Sequence, residues 1–227
     1  MEVLSGVHRV DGTRMANVYL VLGERIAVID TGAPGDGQKT LRYIGGLNRK
    51  PSDVSIIILT HYHFDHCGGL GVVKRETGAQ VVAHELESAY ISGEKPNPQQ
   101  GLLFKMGGWL FRFEHVGVDR VVRDQDRLEE HGLRIIHTPG HTPGSISILM
   151  EDRRVMFTGD TIGFSDGRML GPAKRWSLDA EEAWRSVRKL SQFEFDVMLG
   201  GHGEPLMENA STKIRKWVGA RELPESV

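Results

Sequence analysis

The stretch LTHYHFDHCGGL, residues 59–70, holds three histidines and an aspartate within six positions, directly after the apolar run VSIIIL. A hydrophobic core does not bury such side chains without partners, because an unpaired polar group in the interior costs free energy. In an extended chain alternate side chains point the same way, so His61 and His63 can converge on one point. Asp65 and His66 follow, where the chain turns toward two glycines. Imidazole nitrogens and carboxylate oxygens bind zinc, so this stretch predicts a metal site.

Three later loops repeat this chemistry at the ends of predicted strands. They are HTPGHTPGS, FTGDT and LGGHGEP, and they offer His141, Asp160 and His202 respectively. Each of these residues is flanked by glycine, which lets the backbone approach a neighbour closely or adopt a positive φ. One such histidine would ordinarily be a surface or core residue. The repetition in several strand-end loops favours one shared site instead.

The bulk composition narrows the class of protein. The chain has 227 residues and a formal net charge of −2, which does not favour nucleic acid or a membrane surface as partner. No apolar run approaches the roughly 18 residues that a spanning helix needs, and the N-terminus has no pattern of a secretory signal. Cys67 is the single cysteine, so no internal disulfide is expected and it is interpreted as a small packed residue. We expect a soluble, cytoplasmic protein.

Short apolar runs alternate with helical stretches along the whole chain. The predicted strands are ANVYLVLG, RIAVID, VSIIIL, QVVA, RVV, LRIIHT, SISILM, RVMFTG and a last one in FDVMLGGHG. The predicted helices cover residues 36–46, 68–77, 85–91, 177–190 and 207–220. The two halves share one rhythm of strands, a histidine-bearing loop and a helix. This rhythm predicts two packed β-sheets with helices outside, in a single domain over residues 1–227.

The motifs together resemble one known family. THYHFDH is similar to the His-x-His-x-Asp-His signature of the metallo-β-lactamase superfamily, and the three later loops resemble its further metal motifs in order. VIDTG, which contains Asp30, resembles an early strand-end motif of the same family, so the resemblance covers nearly the whole chain. It implies an α/β fold of the four-layer αββα type.

The resemblance also implies a set of metal ligands. His61, His63 and His141 would hold one metal, and a second would be held by Asp65, His66 and His202. Asp160 would bridge the two, and Asp30 would lie behind the ligands and orient the loop that carries them. The implied cofactors are two zinc ions, with iron or manganese open as the native metal.

The implied reaction is hydrolysis of a carbonyl ester-type bond by a hydroxide that bridges the two metals. Metal ions lower the pKa of bound water and polarise a carbonyl oxygen, and Asp65 would pass a proton to the leaving group. Differences between this sequence and the known subfamilies narrow the choice among branches of the superfamily. Asp160 stands where true metallo-β-lactamases usually carry Cys or Ser, and the helical domain of glyoxalase II proper is not expected. A compact glyoxalase II-like or lactonase-like enzyme, acting on a thioester, lactone or ester, is the preferred interpretation.

Two alternatives stay open at this point. Persulfide dioxygenases resemble the same family and hold a single iron through positions that match His61, His141 and Asp160. This chain retains every ligand for a second metal, and that retention is compatible with a persulfide dioxygenase. Hydrolysis of β-lactams, as the main or a side activity, is a further alternative.

Two segments outside the ligand loops could bind the small-molecule substrate. Residues 93–113 contain Trp109 among other apolar side chains and could form a lid, core packing or the face of a homodimer. The segment SDGRMLGPAKRW follows Asp160 and carries Arg168, Lys174 and Arg175. These cations could bind an anionic tail of the substrate or belong to a solvated loop.

Overall fold

The computed structural model describes residues 1–96, 114–172 and 174–222. The chain divides into two compact units, Met1–Arg123 and Asp124–Val227. The single domain that the sequence predicts for residues 1–227 stays a prediction. Among the described residues, no helix is both long enough and apolar enough to cross a bilayer.

The first unit is built on one seven-stranded sheet, whose strands lie side by side in chain order. The first four strands pair antiparallel and the last four pair parallel. The strands are β1 (Glu2–Leu4), β2 (Val7–Arg9), β3 (Tyr19–Leu22), β4 (Ile26–Ile29), β5 (Val54–Ile58), β6 (Gln80–His84) and β7 (Arg120–Val122). The described helices are α1 (Gly37–Gly46), α2 (Phe64–Cys67), α3 (Leu70–Thr77) and α4 (Glu85–Ile91).

The second unit is built on a five-stranded sheet in the order β14-β11-β10-β9-β8, with a separate hairpin. The sheet consists of β8 (Arg127–Leu128), β9 (Leu133–His137), β10 (Ile146–Met150), β11 (Val155–Gly159) and β14 (Val197–Gly200). The hairpin pairs β12 (Gly163–Ser165) with β13 (Arg168–Leu170), and the helices are α5 (Ala180–Leu190) and α6 (Ala210–Glu222). The only parallel pair in this described sheet is β11 with β14.

Each unit has its own apolar core. In the first, β-branched and leucine side chains of β3 to β6 pack with the apolar faces of α1 and α3. In the second, β10, β11 and β14 pack with α5 and α6. The run VSIIIL is almost completely buried, as its unbroken apolarity predicted.

Parallel pairing determines which loops meet. In the first unit β4 and β5 run parallel with Ile29 opposite Ile58, so the residues after both strands emerge at one edge of the sheet. In the second unit β11 and β14 do the same, with Gly159 opposite Gly200. Both edges carry the polar loops identified in the sequence.

The predicted strands and longer helices are confirmed, with helix bounds shifted by up to three residues. Three features differ from the prediction. The short strands β1, β2 and β8 were not predicted. The part of the chain after Asp160 that was predicted as loop contains the hairpin β12–β13. The chain also forms the helix α2 immediately after His63, where the sequence predicts only a turn toward the glycines.

Candidate metal centre

His61 and His63 lie just beyond the end of β5. His61 is buried, and its Nε2 atom lies 3.0 Å from the Nδ1 atom of His63. The rings cross at a large angle, 81°, so two ring nitrogens point toward a common region from different directions. This is the convergence that alternate residues on an extended segment predict.

Asp65 and His66 follow on the single turn of α2. His66 is buried, and its Nε2 atom lies 3.9 Å from Oδ2 of Asp65. Ring nitrogens of His61 and His66 lie within 4.8 Å of each other. All four polar side chains of the signature in the first unit therefore come together in a small region.

Asp30 orients this cluster through hydrogen bonds. It follows β4, is 2% exposed and has a positive φ of 58°. Its Oδ1 atom accepts the backbone N–H of Thr60 at 2.8 Å. Its Oδ2 atom accepts the Thr60 hydroxyl at 2.8 Å and lies 2.7 Å from Nδ1 of His66. A positive φ is uncommon outside glycine but is tolerated by aspartate, and here it directs the carboxylate toward the neighbouring loop.

These hydrogen bonds select the histidine nitrogen that is left for a metal. Because the Asp30 carboxylate accepts, Nδ1 of His66 donates and Nε2 carries the lone pair. The Thr60 hydroxyl gives its proton to Asp30, so its oxygen can accept from Nδ1 of His61, 3.0 Å away. In this arrangement both rings present an unprotonated Nε2. The role of Thr60 could not be predicted from the sequence, because a threonine beside a histidine has no distinguishing pattern.

The backbone of α2 is held by the same loop that supplies Asp30. The carbonyl oxygen of His66 accepts both the backbone N–H and the hydroxyl of Thr31, at 2.7 and 2.9 Å. A Cβ atom on Gly69 would lie 2.3 Å from the carbonyl oxygen of Thr31, so only glycine permits this approach. The glycine after the ligand stretch therefore serves close backbone packing.

A buried carboxylate binds the backbone of Tyr62, which lies between His61 and His63. Glu87 on α4 is fully buried and accepts the backbone N–H of Tyr62 at 2.8 Å. Burial first, and then the Glu87 carboxylate, raise the pKa of Tyr62 well above its usual value. The burial of Glu87 could not be predicted from the sequence, since an acidic residue in the first turn of a predicted helix is expected at the surface.

Cys67 lies at the end of α2 and is completely buried. Its thiol donates to the carbonyl oxygen of His61 at 3.1 Å. Burial raises the pKa of this thiol well above its usual value, so the nucleophilic thiolate is disfavoured. The interpretation of Cys67 as a small packed residue agrees with its burial.

Three further predicted ligands come together in the second unit. Oδ2 of Asp160 lies 3.4 Å from Nε2 of His141 and 3.3 Å from Nε2 of His202. Asp160 follows β11 and His202 follows the parallel strand β14, while Gly201 donates to the carbonyl oxygen of Gly159 at 2.7 Å. One carboxylate oxygen therefore lies between two imidazole nitrogens.

The loop that carries His141 is fixed by hydroxyl groups and by the start of α5. The Thr142 hydroxyl lies 2.7 Å from that of Ser145. The carbonyl oxygen of His141 accepts the backbone N–H of Leu178 at 3.2 Å. A Cβ atom on Gly140, which has a φ of +121°, would lie 2.1 Å from the backbone nitrogen of Ala183. Packing against the helix thus requires glycine immediately before His141.

The donor set and its spacing fit a divalent metal. Two ligand atoms on a tetrahedral zinc, at 2.0–2.1 Å from it, lie roughly 3.3 Å apart. The separations of 3.0 Å in the first unit and of 3.3 and 3.4 Å in the second are close to that distance. Imidazole and carboxylate are also the donors that zinc, iron and manganese accept.

The four residues predicted to bind substrate do not all lie in the described part of the chain. Arg168 is exposed on β13, opposite Ser165 in the hairpin. Lys174 and Arg175 are exposed in the following loop, and the Arg175 guanidinium lies 5.1 Å from the centre of the Trp176 ring. Trp109 and the rest of residues 97–113 lie outside the described residues. Substrate binding by all four stays a prediction.

Replacing Asp30 by asparagine is expected to lower metal affinity by about 10- to 100-fold, the usual effect of losing a partner that orients a ligand. An asparagine has one acceptor oxygen for the three donors that Asp30 serves. If its amide nitrogen faces His66, the ring must accept at Nδ1 and carry its proton on Nε2. Competition with a chromophoric chelator would measure the affinity.

Asp36→Asn is the matched control for this variant. Asp36 is equally buried and lies on the same loop, but its carboxylate accepts the backbone N–H groups of Arg14 and Ala33 instead of ligand residues. The Asp36→Asn substitution is expected to lower the stability of the fold, while the folded variant keeps the metal affinity of wild type. Equal metal affinities for Asp30→Asn and Asp36→Asn would contradict the orienting role.

Comparison with known proteins now defines the class. Residues 11–202 match the metallo-beta-lactamase superfamily, and the chain belongs to this superfamily. A metallo-beta-lactamase family protein of Thermus thermophilus has a similar structure, with a TM-score of 0.77 at 21% identity. The match covers 97% of this chain and 81% of that one. The predicted family and its α/β fold class are confirmed.

Two curated relatives point to hydrolysis. The acyl-coenzyme A thioesterase MBLAC2 of Bos taurus is 30% identical, over 88% of this chain and 79% of its own. The hydroxyacylglutathione hydrolase GloC of Haemophilus influenzae is 27% identical, over 78% of this chain and 79% of its own. The chain is accordingly a metal-dependent hydrolase of this superfamily, as the sequence predicted at that level.

Proposed function

We propose that the protein is a dinuclear zinc hydrolase that cleaves acyl thioesters. In this proposal the first metal would be held by His61, His63 and His141 and the second by Asp65, His66 and His202, and both would share Asp160. The observation that carries it is the position of one Asp160 oxygen, 3.4 and 3.3 Å from histidines that the family pattern allots to different metals. A single-metal site would use Asp160 together with His141 and would have no need of His202 at the same oxygen.

The chain's own residues have distinct tasks in this proposal. Asp30 and Thr60 hold the rings of His66 and His61 with Nε2 unprotonated. Bound divalent ions would polarise the substrate carbonyl and lower the pKa of water to near neutrality. Asp65 has a carboxylate that is 13% exposed beside His66, so it is accessible to a proton from water and can pass it to the leaving thiolate.

The relatives support a thioester as the substrate class. MBLAC2 is named a thioesterase for acyl-coenzyme A, and GloC a hydrolase of hydroxyacylglutathione, which is also a thioester. Both leaving groups are thiols, whose low pKa relative to alcohols makes the carbonyl more reactive. A lactone or another ester would need the same metal chemistry. The choice of a thioester as the substrate class therefore rests on these relatives.

The test is a substrate panel on protein of measured metal content. We expect two zinc ions per chain and a kcat/KM for acyl-coenzyme A and acylglutathione thioesters at least tenfold above that for lactones and β-lactams. Oxygen uptake with glutathione persulfide and a single bound iron would establish the dioxygenase instead. A higher kcat/KM for lactones or β-lactams would overturn the thioester assignment while leaving the metal proposal intact.

A further inference from the structure

Three large apolar side chains near the second-unit ligands are exposed to solvent. Leu170 is 43% exposed, Trp176 51% and Leu178 46%. Burying apolar side chains is favourable, so three exposed ones within nine residues of chain provide apolar surface that a ligand could cover. These three residues are called the apolar rim below.

The apolar rim is attached to the ligand loops at two points. The backbone N–H of Leu178 donates to the carbonyl oxygen of His141 at 3.2 Å. Leu170 pairs with Gly163 across the hairpin, and a Cβ atom on Gly163 would lie 3.4 Å from the carbonyl oxygen of His202. The hairpin and the His202 loop are also joined by the backbone N–H of Glu204, which donates to Phe164 at 2.7 Å. The rim thus flanks the two histidines that share Asp160.

Gly171, the residue after Leu170, packs against an aromatic pair. A Cβ atom on Gly171 would lie 2.8 Å from the Trp184 ring, so the backbone rests directly on that ring. Trp184 packs against Trp217 with ring centres 5.1 Å apart, and the Arg221 guanidinium lies 4.6 Å from the Trp184 ring. This aromatic support fixes the backbone next to Leu170, whose side chain stays exposed to solvent.

We propose that the apolar rim binds the aliphatic acyl chain of the substrate. The inference rests on the proposed function, because a carbonyl carbon placed beside His141, Asp160 and His202 must send its acyl chain along a neighbouring surface. The exposed apolar side chains next to these ligands suit a chain of CH₂ groups, each of which gains free energy when it is removed from water. A short or strongly polar acyl group would leave the rim uncovered.

The experiment compares acyl thioesters of one thiol with acetyl, butyryl, octanoyl and dodecanoyl groups. Wild type is expected to have a kcat/KM that rises with chain length. In the double variant Leu170→Ser/Leu178→Ser the ratio of dodecanoyl to acetyl kcat/KM should fall roughly 10- to 100-fold, about one factor of ten for each half-buried leucine contact. Val121→Ser removes an equally exposed side chain, 52%, on β7 of the first unit, and should keep the wild-type ratio.

A binding measurement separates this inference from the proposed function. Isothermal titration calorimetry with non-hydrolysable S-alkyl thioethers of the same thiol should show affinity that rises with chain length and is reduced in the double variant. Thioester hydrolysis with an unchanged chain-length ratio in the double variant overturns the inference and leaves the proposed function. Absence of thioester hydrolysis by wild type overturns the proposed function, and the titration then decides the inference: chain-length-independent binding rejects it.

Discussion

Asp65→Asn is expected to lower the turnover of thioesters by about 10²- to 10⁴-fold, the range of general acid–base catalysis. The substitution keeps the shape of the side chain but removes its negative charge and its ability to carry a proton. Asp65 lies on α2 with its Oδ2 atom 3.9 Å from Nε2 of His66, so it borders the ligand cluster without being enclosed by it. Steady-state kinetics on metal-loaded protein would measure the effect.

Metal content must be measured alongside, because Asp65 is also a proposed ligand. Elemental analysis that finds both metals in the variant attributes the loss to the proton-carrying role, whereas loss of one metal attributes it to ligation. Asp152→Asn, on an exposed turn of the second unit, is the matched control and should leave turnover at the wild-type level. Turnover of Asp65→Asn within about threefold of wild type, with both metals bound, would contradict the role.

Much of the fold follows from local patterns in the sequence. The buried run before His61 and the alternation of short strands with helices are determined by residues close to one another along the chain. The ligand loops could be predicted for the same reason, since each follows a strand and contains glycine. The strands β1 and β2 have three residues each, too few for an apolar period to be recognised.

The hairpin β12–β13 illustrates what local patterns do not determine. Its residues include Gly163, Asp166 and Gly167, which are typical of loops. The pairing is supported from outside the hairpin, where Glu204 donates to the carbonyl oxygen of Phe164 at 2.7 Å. Such a contact joins residues that are 40 positions apart and has no signature in the segment itself.

The supporting residues of the site were harder to predict than its ligands. His61, His63, Asp65 and His66 are recognisable because several metal-binding side chains stand together. Thr60 acts through a hydroxyl that passes between Asp30 and a ring nitrogen, and threonine at a strand end is common. Such roles depend on the geometry of parallel neighbours β4 and β5, which only the structure supplies.

Removing the shared oxygen of Asp160 is expected to give the largest loss of metal. In a dinuclear site the two divalent ions lie about 3.5–4 Å apart and repel each other strongly, and a negative oxygen between them offsets that repulsion. Asp160→Ala leaves His141 and His202 without the carboxylate that lies 3.4 and 3.3 Å from them. Metal content should fall from two ions per chain to one or fewer, and turnover by at least about 10³-fold because the bridging ligand and one metal are lost together.

Two comparisons make this prediction specific. His202→Ala should reduce the metal content to about one ion per chain, since it removes a ligand of only one proposed metal. His131→Ala, in a short turn after β8 and outside the ligand set, should keep two. Inductively coupled plasma mass spectrometry on protein purified without added chelator would count the ions. Asp160→Ala with two tightly bound metals would contradict the bridging role, because the ions would then be held together without the oxygen that offsets their repulsion.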